Sequence, residues 1–295
     1  MEFLLQLVLN GIVSGSIYSL VALGFVVIYK STSVLNFAQG EFMMLGAYVC
    51  LSLAVQYQLP FAVAFLLTMA FMAALGVLTE RLILRPMIGE PVISLIMVTL
   101  GLSALLKAVV QAIWGTDLRP FPNIFPAEPV QLGPLPVSQG YLYGTGSVAV
   151  LLLLFSLFFK FTRNGIAMRA TAFSQQVALS MGISVKRIFA LSWSIAAVVS
   201  AIGGVLLAGI RGGLDSALAL FGLKVVPVVI LGGLDSIGGA ILGGLIMGVL
   251  ENLAGGYLDP LVGGGAKEVA PFIVLVLILS VRPYGLFGKV KIERV

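Results

Sequence analysis

The sequence predicts an all-α integral membrane protein, a polytopic helical bundle, and three observations lead to this fold class. Of the 295 residues, 60% are hydrophobic and only 10% are charged, whereas a soluble domain of this size carries about 25% charged residues. The mean hydropathy is +1.13. The apolar residues form long runs such as 61–78, 148–159 and 271–281. A lipid bilayer is the solvent that suits runs of this kind.

Helical spans follow from the length of the apolar runs. A hydrocarbon core about 30 Å thick takes about 20 helical residues to cross. Clear spans are therefore expected at 3–29, 42–57, 60–80, 92–114, 146–160, 188–210 and 268–281. With the two shorter stretches that follow, we expect about eight crossings, with nine as the alternative, in one transmembrane domain over 1–295.

Two further apolar stretches, at 222–234 and 236–256, are separated by glycines and Asp235. The first is short for a full crossing and contains Pro227, which removes a helical hydrogen bond. We therefore expect a broken helix or half-helix near 222–236, with a tilted span as the alternative.

Basic residues set the predicted orientation, because cytoplasmic loops are enriched in Lys and Arg. They concentrate after the third span, between the spans that end near 160 and start near 188, and after the last span. These residues are Arg81, Arg85, Lys160, Arg163, Arg169, Lys186, Arg187, Arg282, Lys289, Lys291 and Arg294. The three segments are expected in the cytoplasm, which places the N-terminus outside and the C-terminus inside.

The segment 115–145 then faces outward, and it is expected to be the one long non-helical region. It contains six prolines, which fix φ and remove donors, so the loop is irregular without being floppy. They are Pro120, Pro122, Pro126, Pro129, Pro134 and Pro136. The segment is a plain connector or a docking surface for a partner outside the cell.

Several functional classes lack the residues that they need. The chain has no histidine, which removes the commonest general base and metal ligand, and its single cysteine, Cys50, excludes a disulfide within one chain. No GxxxxGK[ST] motif is present, so the chain has no phosphate-binding loop of this type. We find no motif of a membrane enzyme, and we expect neither catalytic residues nor a bound metal.

The cytoplasmic segment 160–187 contains five basic residues and no acidic residue. Its small residues favour a helix, and Gly182 is typical of a helix stop. We expect a short surface helix, a turn and then the next span. Such a helix is placed to dock another protein, and the alternative is an interfacial helix that touches only lipid headgroups.

A polar island, Asn36-Phe37-Ala38-Gln39-Gly40-Glu41, lies between two apolar helices. Glu41 is expected at or inside the membrane boundary, where ionisable groups usually face a bundle interior or a cavity. The start of a helix also favours a negative group. The island is either a helix cap with interhelical hydrogen bonds or part of the translocation path or its gate, formed by Asn36, Gln39 and Glu41.

Two acidic residues in the C-terminal third are further candidates for the path. Asp235 or Ser236 is placed to cap the helix that follows the glycine-rich turn, and a broken helix is tolerated where it is buried in protein or lines water. Glu251 lies deep in the next span, and Lys107 in the fourth span is a candidate partner for it.

Several segments resemble the permease subunits of branched-chain amino-acid ABC importers, in particular the shorter permease type. The similarity covers nearly the whole chain. Asn36–Glu41 resembles the family motif N-F-A-x-G-E, in which His often occupies the position of Gln39. The other matching segments are 10–24, Arg169-Ala170, Ala178, Met181-Gly182-Ile183, 231–239 and 282–288.

The resemblance implies an importer in which this chain pairs with a second, homologous permease. Two cytoplasmic ATPases would hydrolyse ATP with Mg²⁺, a periplasmic or extracellular binding protein would deliver the solute, and this chain would bind no cofactor. The residues expected to couple to the ATPases are Arg163, Arg169, Ala170, Ala178, Gly182, Lys186 and Arg187.

The solute implied by the resemblance is a branched-chain amino acid or a related small polar solute such as urea, an amide or an aromatic acid. Localisation in the bacterial inner membrane follows from the same resemblance. The alternative function is a stand-alone secondary transporter coupled to an ion gradient, which would use charged residues paired at the midplane of the membrane.

Overall fold

A computed structural model describes residues 2–126, 128–132 and 135–288. Within these residues the chain is an all-α bundle, as predicted. Several residues named above, Pro134, Lys289, Lys291 and Arg294, lie outside the described part of the chain. The predicted cytoplasmic charge after the last span is therefore described only for Arg282.

Twelve α-helices are present in the described residues, and two short antiparallel strand pairs join them. The helices are α1 (Glu2–Thr32), α2 (Gln39–Leu51), α3 (Phe61–Thr79), α4 (Val92–Trp114), α5 (Gln139–Phe161), α6 (Arg163–Phe173), α7 (Gln175–Ser180), α8 (Val185–Arg211), α9 (Leu220–Gly232), α10 (Ile237–Tyr257), α11 (Asp259–Val262) and α12 (Ala266–Val281). Single π-helical turns extend α2 over Ser52–Gln56 and α3 over Glu80–Leu84.

Six helices in the described residues are long and apolar enough to cross a membrane: Glu2–Thr32, Phe61–Met87, Val92–Trp114, Gln139–Phe161, Val185–Arg211 and Ile237–Tyr257. The expected spans 42–57, 222–234 and 268–281 fall on the shorter helices α2, α9 and α12. Their number of full crossings stays a prediction.

The helix α1 forms the centre of the bundle, and small residues let α10 lie directly against it. A Cβ atom on Gly15 would come within 2.8 Å of the Leu245 Cα atom. The Ser19 hydroxyl donates a 2.8 Å hydrogen bond to the carbonyl oxygen of Ile241. The spacing of glycines in both helices thus serves close helix packing, as small-xxx-small patterns do in membranes.

Two pairs of consecutive helices, α1 with α2 and α8 with α9, are each separated by a short break. The chain leaves α1 at Thr32 and begins α2 at Gln39, and it leaves α8 at Arg211 and begins α9 at Leu220. A 3₁₀ turn, Ser216–Ala219, fills the second half of this break. The expected short helix near 222–236 is therefore present as α9, which has 13 residues and contains Pro227.

The predicted non-helical loop 115–145 is shorter than expected, because α5 begins at Gln139. Two strand pairs shape the loop: β1 (Arg119–Pro120) with β4 (Gly213–Leu214), and β2 (Pro129–Leu132) with β3 (Leu135–Ser138). The expected span began only at residue 146, because the glycines in the first turns of α5 have a low helix propensity. Gly144 is buried, and a Cβ there would contact the Ile210 side chain at 2.9 Å, so packing rather than propensity favours the helix.

Candidate functional site

The polar island before α2 forms a buried hydrogen-bond cluster. The side-chain oxygen Oδ1 of Asn36 accepts a 3.0 Å hydrogen bond from the Ala38 backbone N–H. The side-chain nitrogen Nδ2 of Asn36 donates a 2.9 Å hydrogen bond to Gln39 Oε1. Gln39 Nε2 in turn donates to Ser200 Oγ on α8 at 2.6 Å. Asn36 and Gln39 are fully buried. The cluster therefore ties the start of α2 to the middle of α8.

Contacts with α4 show where this cluster lies along the length of the bundle. Glu41 Oε1 accepts a 2.8 Å hydrogen bond from Ser103 Oγ, and Ser103 lies at the centre of the 23-residue α4. Thr99, one turn earlier, donates to the Leu35 carbonyl oxygen at 3.3 Å. The chain therefore folds back beside α4 after α1, and α2 begins level with the middle of α4 rather than with its end.

The second interrupted helix begins at the same place. A Cβ atom on Gly40 would collide with the carbonyl group of Ala219, and one on Gly222 would lie 2.5 Å from the Gly40 backbone. The first turns of α2 and α9 thus meet with their backbones in direct contact. We call this contact between Gly40 and residues Ala219 and Gly222 the half-helix junction.

Glu251 has a different partner from the one expected. Its Oε1 forms a 2.9 Å ion pair with Lys224 Nζ on α9, and its Oε2 accepts a hydrogen bond from the Tyr18 hydroxyl on α1. The predicted contact with Lys107 is wrong, because both carboxylate oxygens of Glu251 have partners on α9 and α1 instead. Glu251 thus joins α10 to α9 through Lys224 and to α1 through Tyr18. Lys224 lies within one helical turn of Gly222 in the half-helix junction.

The glycine-rich turn between α9 and α10 contains Asp235 and Ser236. Ser236 caps α10, accepting a 3.0 Å hydrogen bond from the Gly239 backbone, so the predicted cap is confirmed for this residue. The turn also binds the chain after α12, where the Leu286 backbone donates to the Leu231 carbonyl oxygen at 2.8 Å. The two segments of the resemblance, 231–239 and 282–288, therefore meet in space.

The segment 160–187 forms two short helices rather than one. Thr162 caps α6 by accepting from the Gly165 backbone at 3.0 Å, and Ser174 caps α7 by accepting from Val177 at 3.3 Å. Gly182, with a φ of +78°, ends the pair as predicted, and the chain then enters α8. We call residues 163–180 the α6–α7 pair.

The residues expected to couple to ATPases differ in exposure. Five of them are exposed: Arg163, Arg169, Gly182, Lys186 and Arg187. Ala170 is partly exposed, whereas Ala178 is 2% exposed and packs with Val185 and Phe189 of α8. Apolar side chains also stand out from this surface, with Phe173 at 92% and Met181 at 77% exposure. Ala178 therefore anchors the pair to α8.

Lys224 and Ser103 were missed by sequence analysis although both contact a predicted site residue. The signal for Lys224 was a single charge within the apolar α9, where an ionisable group usually has a partner or a function. Ser103 carried no signal by itself, since serine is common in spanning helices. In the described residues no group of three or more potential metal ligands is found.

The chain is similar to a known protein family, to several of its members and to one solved structure. The family model described as branched-chain amino acid transport system / permease component matches residues 7–281. The chain is 30% identical to the high-affinity branched-chain amino acid transport system permease protein LivH of Salmonella typhimurium, over 99% of this chain and 98% of that protein. BraD of Pseudomonas aeruginosa, with the same description, matches at the same identity and coverage.

An archaeal protein and one solved structure are also similar. A probable branched-chain amino acid transport permease protein LivH of Methanocaldococcus jannaschii is 30% identical over 96% of this chain and 92% of its own. The structure of PsaBC from Streptococcus pneumoniae in complex with Fab aligns over 94% of this chain and 91% of that chain. Its TM-score is 0.48 at 16% identity, which is too low to bear on function.

Proposed function

Because this chain belongs to the family of branched-chain amino acid transport permease components, we propose that it imports a branched-chain amino acid or a related small polar solute. Urea, an amide or an aromatic acid would be such a related solute. The family consists of transport subunits and is not an enzyme class. The match over residues 7–281, nearly the whole chain, is the single observation that carries this proposal.

The importer would be assembled from separate subunits. This chain pairs with a second, homologous permease, two cytoplasmic ATPases bind and hydrolyse ATP with Mg²⁺, and a binding protein delivers the solute. The chain itself binds no cofactor in this scheme. Its multiple apolar helices agree with a place in the inner membrane, and the exposed basic residues of the α6–α7 pair support a cytoplasmic position for it.

Movement would pass from the ATPases to the membrane interior through α8. The buried Ala178 links the α6–α7 pair to the start of α8, and Ser200 in the middle of α8 holds Gln39 at 2.6 Å. Gln39 begins α2, which forms one side of the half-helix junction. A displacement of the α6–α7 pair would therefore shift α8 and, with it, the junction, which we propose as the gate.

The polar residues near the junction would line the path or control its opening. Glu41 and Glu251 bring carboxylates to the interior of the bundle, and Asn36 and Gln39 hold the start of α2. Asp235 lies in the turn at the far end of α9. Broken helices at membrane depth are tolerated where they line a cavity or are buried in protein, which supports this proposal.

A reconstitution experiment tests the function. The chain is purified with its neighbouring permease and both ATPases, inserted into liposomes, and supplied with binding protein and radiolabelled leucine. Uptake is expected only with ATP inside, and ATPases unable to hydrolyse ATP serve as the matched control. Uptake by this chain alone that follows a proton or sodium gradient and ignores ATP would favour the ion-coupled alternative.

The orientation has its own test. Ser180→Cys in the α6–α7 pair is expected to react with a membrane-impermeant thiol reagent from the cytoplasmic side only. Gln6→Cys, at the start of α1, is the control of opposite expected sidedness. Reaction of Ser180→Cys from outside intact cells would contradict the coupling role of the pair.

A further inference from the structure

Almost all the polar side chains of α4 fall on one line. Thr99, Ser103, Lys107 and Gln111 recur every four residues of this 23-residue helix, and its other polar groups are the Ser94 hydroxyl and the Trp114 indole N–H. Residues four apart on a helix lie above one another, with a drift of about 40° per step. We call these four residues the α4 polar stripe.

The stripe turns gradually from the protein interior to its surface. Thr99 is fully buried and contacts the break between α1 and α2, whereas Ser103, Lys107 and Gln111 are partly exposed. It thus runs from the middle of the bundle toward the end of α4 near Trp114. The opposite side of α4 is apolar, with Leu105 58% and Val109 40% exposed.

Lys107 is the unusual member of this stripe. It lies seven residues before the end of α4, which is about 10 Å along the helix axis. The Cα–Cβ bonds of a helix tilt toward its N-terminus, so the side chain of Lys107 leans toward the membrane centre and not toward the nearer headgroups. A cation in that position is strongly disfavoured against lipid and usually faces a cavity or another protein group.

Glu41 supplies the opposite charge beside the stripe. It accepts a hydrogen bond from Ser103, one turn from Lys107, and interacts electrostatically with Lys107. The described residues contain no direct ion pair between them, unlike Glu251 and Lys224. The Glu41 carboxylate, through its hydrogen bond with Ser103, therefore lies about one helical turn along α4 from Lys107.

This arrangement matches a zwitterionic solute. We propose that the α4 polar stripe lines the solute path. Lys107 contacts the carboxylate of an α-amino acid and Glu41 contacts its ammonium group. The inference rests on the proposed import function and identifies the solute by its paired charges, which urea lacks.

Thiol labelling of the assembled importer tests the position of the path. Lys107→Cys and Gln111→Cys are compared with Leu105→Cys and Val109→Cys on the apolar side of α4, using a charged, water-soluble methanethiosulfonate reagent. The parent chain, with only the buried Cys50, gives the background. Labelling of the stripe positions alone is expected. Equal labelling of both sides, or labelling of the apolar side only, would overturn the proposal.

A charge substitution tests the contact with the solute. Lys107→Met is expected to lower ATP-driven leucine uptake about tenfold, the loss of one charge-assisted hydrogen bond, while Lys107→Arg keeps most of it. Lys267→Met, at an exposed lysine in the first turn of α12, is the matched control and should leave uptake unchanged. ATP hydrolysis without solute reports whether each complex has assembled.

The outcomes separate this inference from the proposed function. Wild-type uptake that depends on ATP, together with normal uptake by Lys107→Met, would reject the role of the stripe and leave the importer function standing. A wild-type complex without ATP-driven uptake would reject the importer function itself. Equal loss in Lys107→Met and Lys107→Arg would show a packing role and would also reject the solute contact.

Discussion

The half-helix junction and the α6–α7 pair are both rich in small residues, but the small residues serve opposite purposes. At the junction, Gly40 and Gly222 allow two backbones to touch, and any side chain there would collide with main-chain atoms. At the end of the α6–α7 pair, Gly182 has open space around it and is needed for its positive φ. The junction is held by backbone contacts within the bundle, whereas the surface at Gly182 is open to another molecule.

The difference shows where this fold tolerates change. Polar groups inside the bundle are held by named partners, as Gln39 is by Ser200 and Glu251 by Lys224. The α6–α7 pair has its own caps, one buried anchor and an exposed surface of arginines and apolar side chains. Substitutions should therefore change stability at the junction and coupling at the pair.

The largest expected effect is at the junction itself. Gly40→Ala places a methyl group against the Ala219 carbonyl, so α2 and α9 must separate, with a loss of about 3 kcal/mol or more of stability. Gly101→Ala in α4, where a Cβ meets open space, is the matched control. Membrane abundance and the melting temperature of the purified complex measure both. Equal membrane abundance and melting temperature of the two variants would contradict the close backbone contact at the junction.

A smaller effect is expected at the partly buried ion pair of Glu251 and Lys224. Glu251→Gln leaves Lys224 without its counter-charge, at a cost of about 2 kcal/mol. The double variant Glu251→Gln with Lys224→Met should regain part of that loss, because it removes the unpaired charge. Thermal denaturation of these two variants and of Lys224→Met alone gives the coupling energy. Strictly additive losses would show that the pair does not stabilise the bundle.

Substitution at the end of the α6–α7 pair should have a smaller effect still. Gly182→Val forces a β-branched residue into the left-handed region, at a local cost of about 1–2 kcal/mol. Gly182→Asn is the control, since asparagine accepts that conformation. We expect normal membrane abundance for both, with solute-stimulated ATP hydrolysis lowered only in the valine variant. Unchanged stimulation there would argue against a role of this turn in coupling.

The smallest change in stability is expected on the exposed surface. Arg169→Glu should alter the free energy of unfolding by no more than about 0.5 kcal/mol, yet reverse a charge that the proposal assigns to the ATPase contact. Arg169→Lys preserves the charge and serves as control. Solute-stimulated ATP hydrolysis should fall several-fold in the glutamate variant alone. Normal stimulation would mean that this surface touches only lipid headgroups.

Hydropathy was sufficient to predict the helical bundle and most of its helices. The expected spans 92–114, 188–210 and 236–256 lie close to α4, α8 and α10, because each is a continuous apolar run of spanning length. Gly182 and Ser236 were also recognisable, since a glycine stop and a serine cap act locally. Such features depend on near neighbours in the sequence.

Depth and pairing were not predictable in the same way. Only Glu41 of the polar island Asn36–Glu41 was placed from the sequence, at or inside the membrane boundary, because such an island between apolar helices has the composition of a loop. The level of the island along the bundle is set by contacts with Ser200 and Ser103 on distant helices. The wrong partner for Glu251 has the same origin, since hydropathy does not reveal which helices are neighbours. The four-residue spacing of polar side chains along α4, by contrast, is a local pattern of the sequence.

The central position of α1 has a consequence for biogenesis. This helix leaves the ribosome well before α10, yet 83% of its apolar window is buried, and its glycine face at Gly11 and Gly15 is closed by α10. That partner is synthesised some two hundred residues later, so the face must be shielded by lipid or an insertase during translation. Nascent chains arrested before Ile237 should therefore be prime substrates for membrane quality-control proteases.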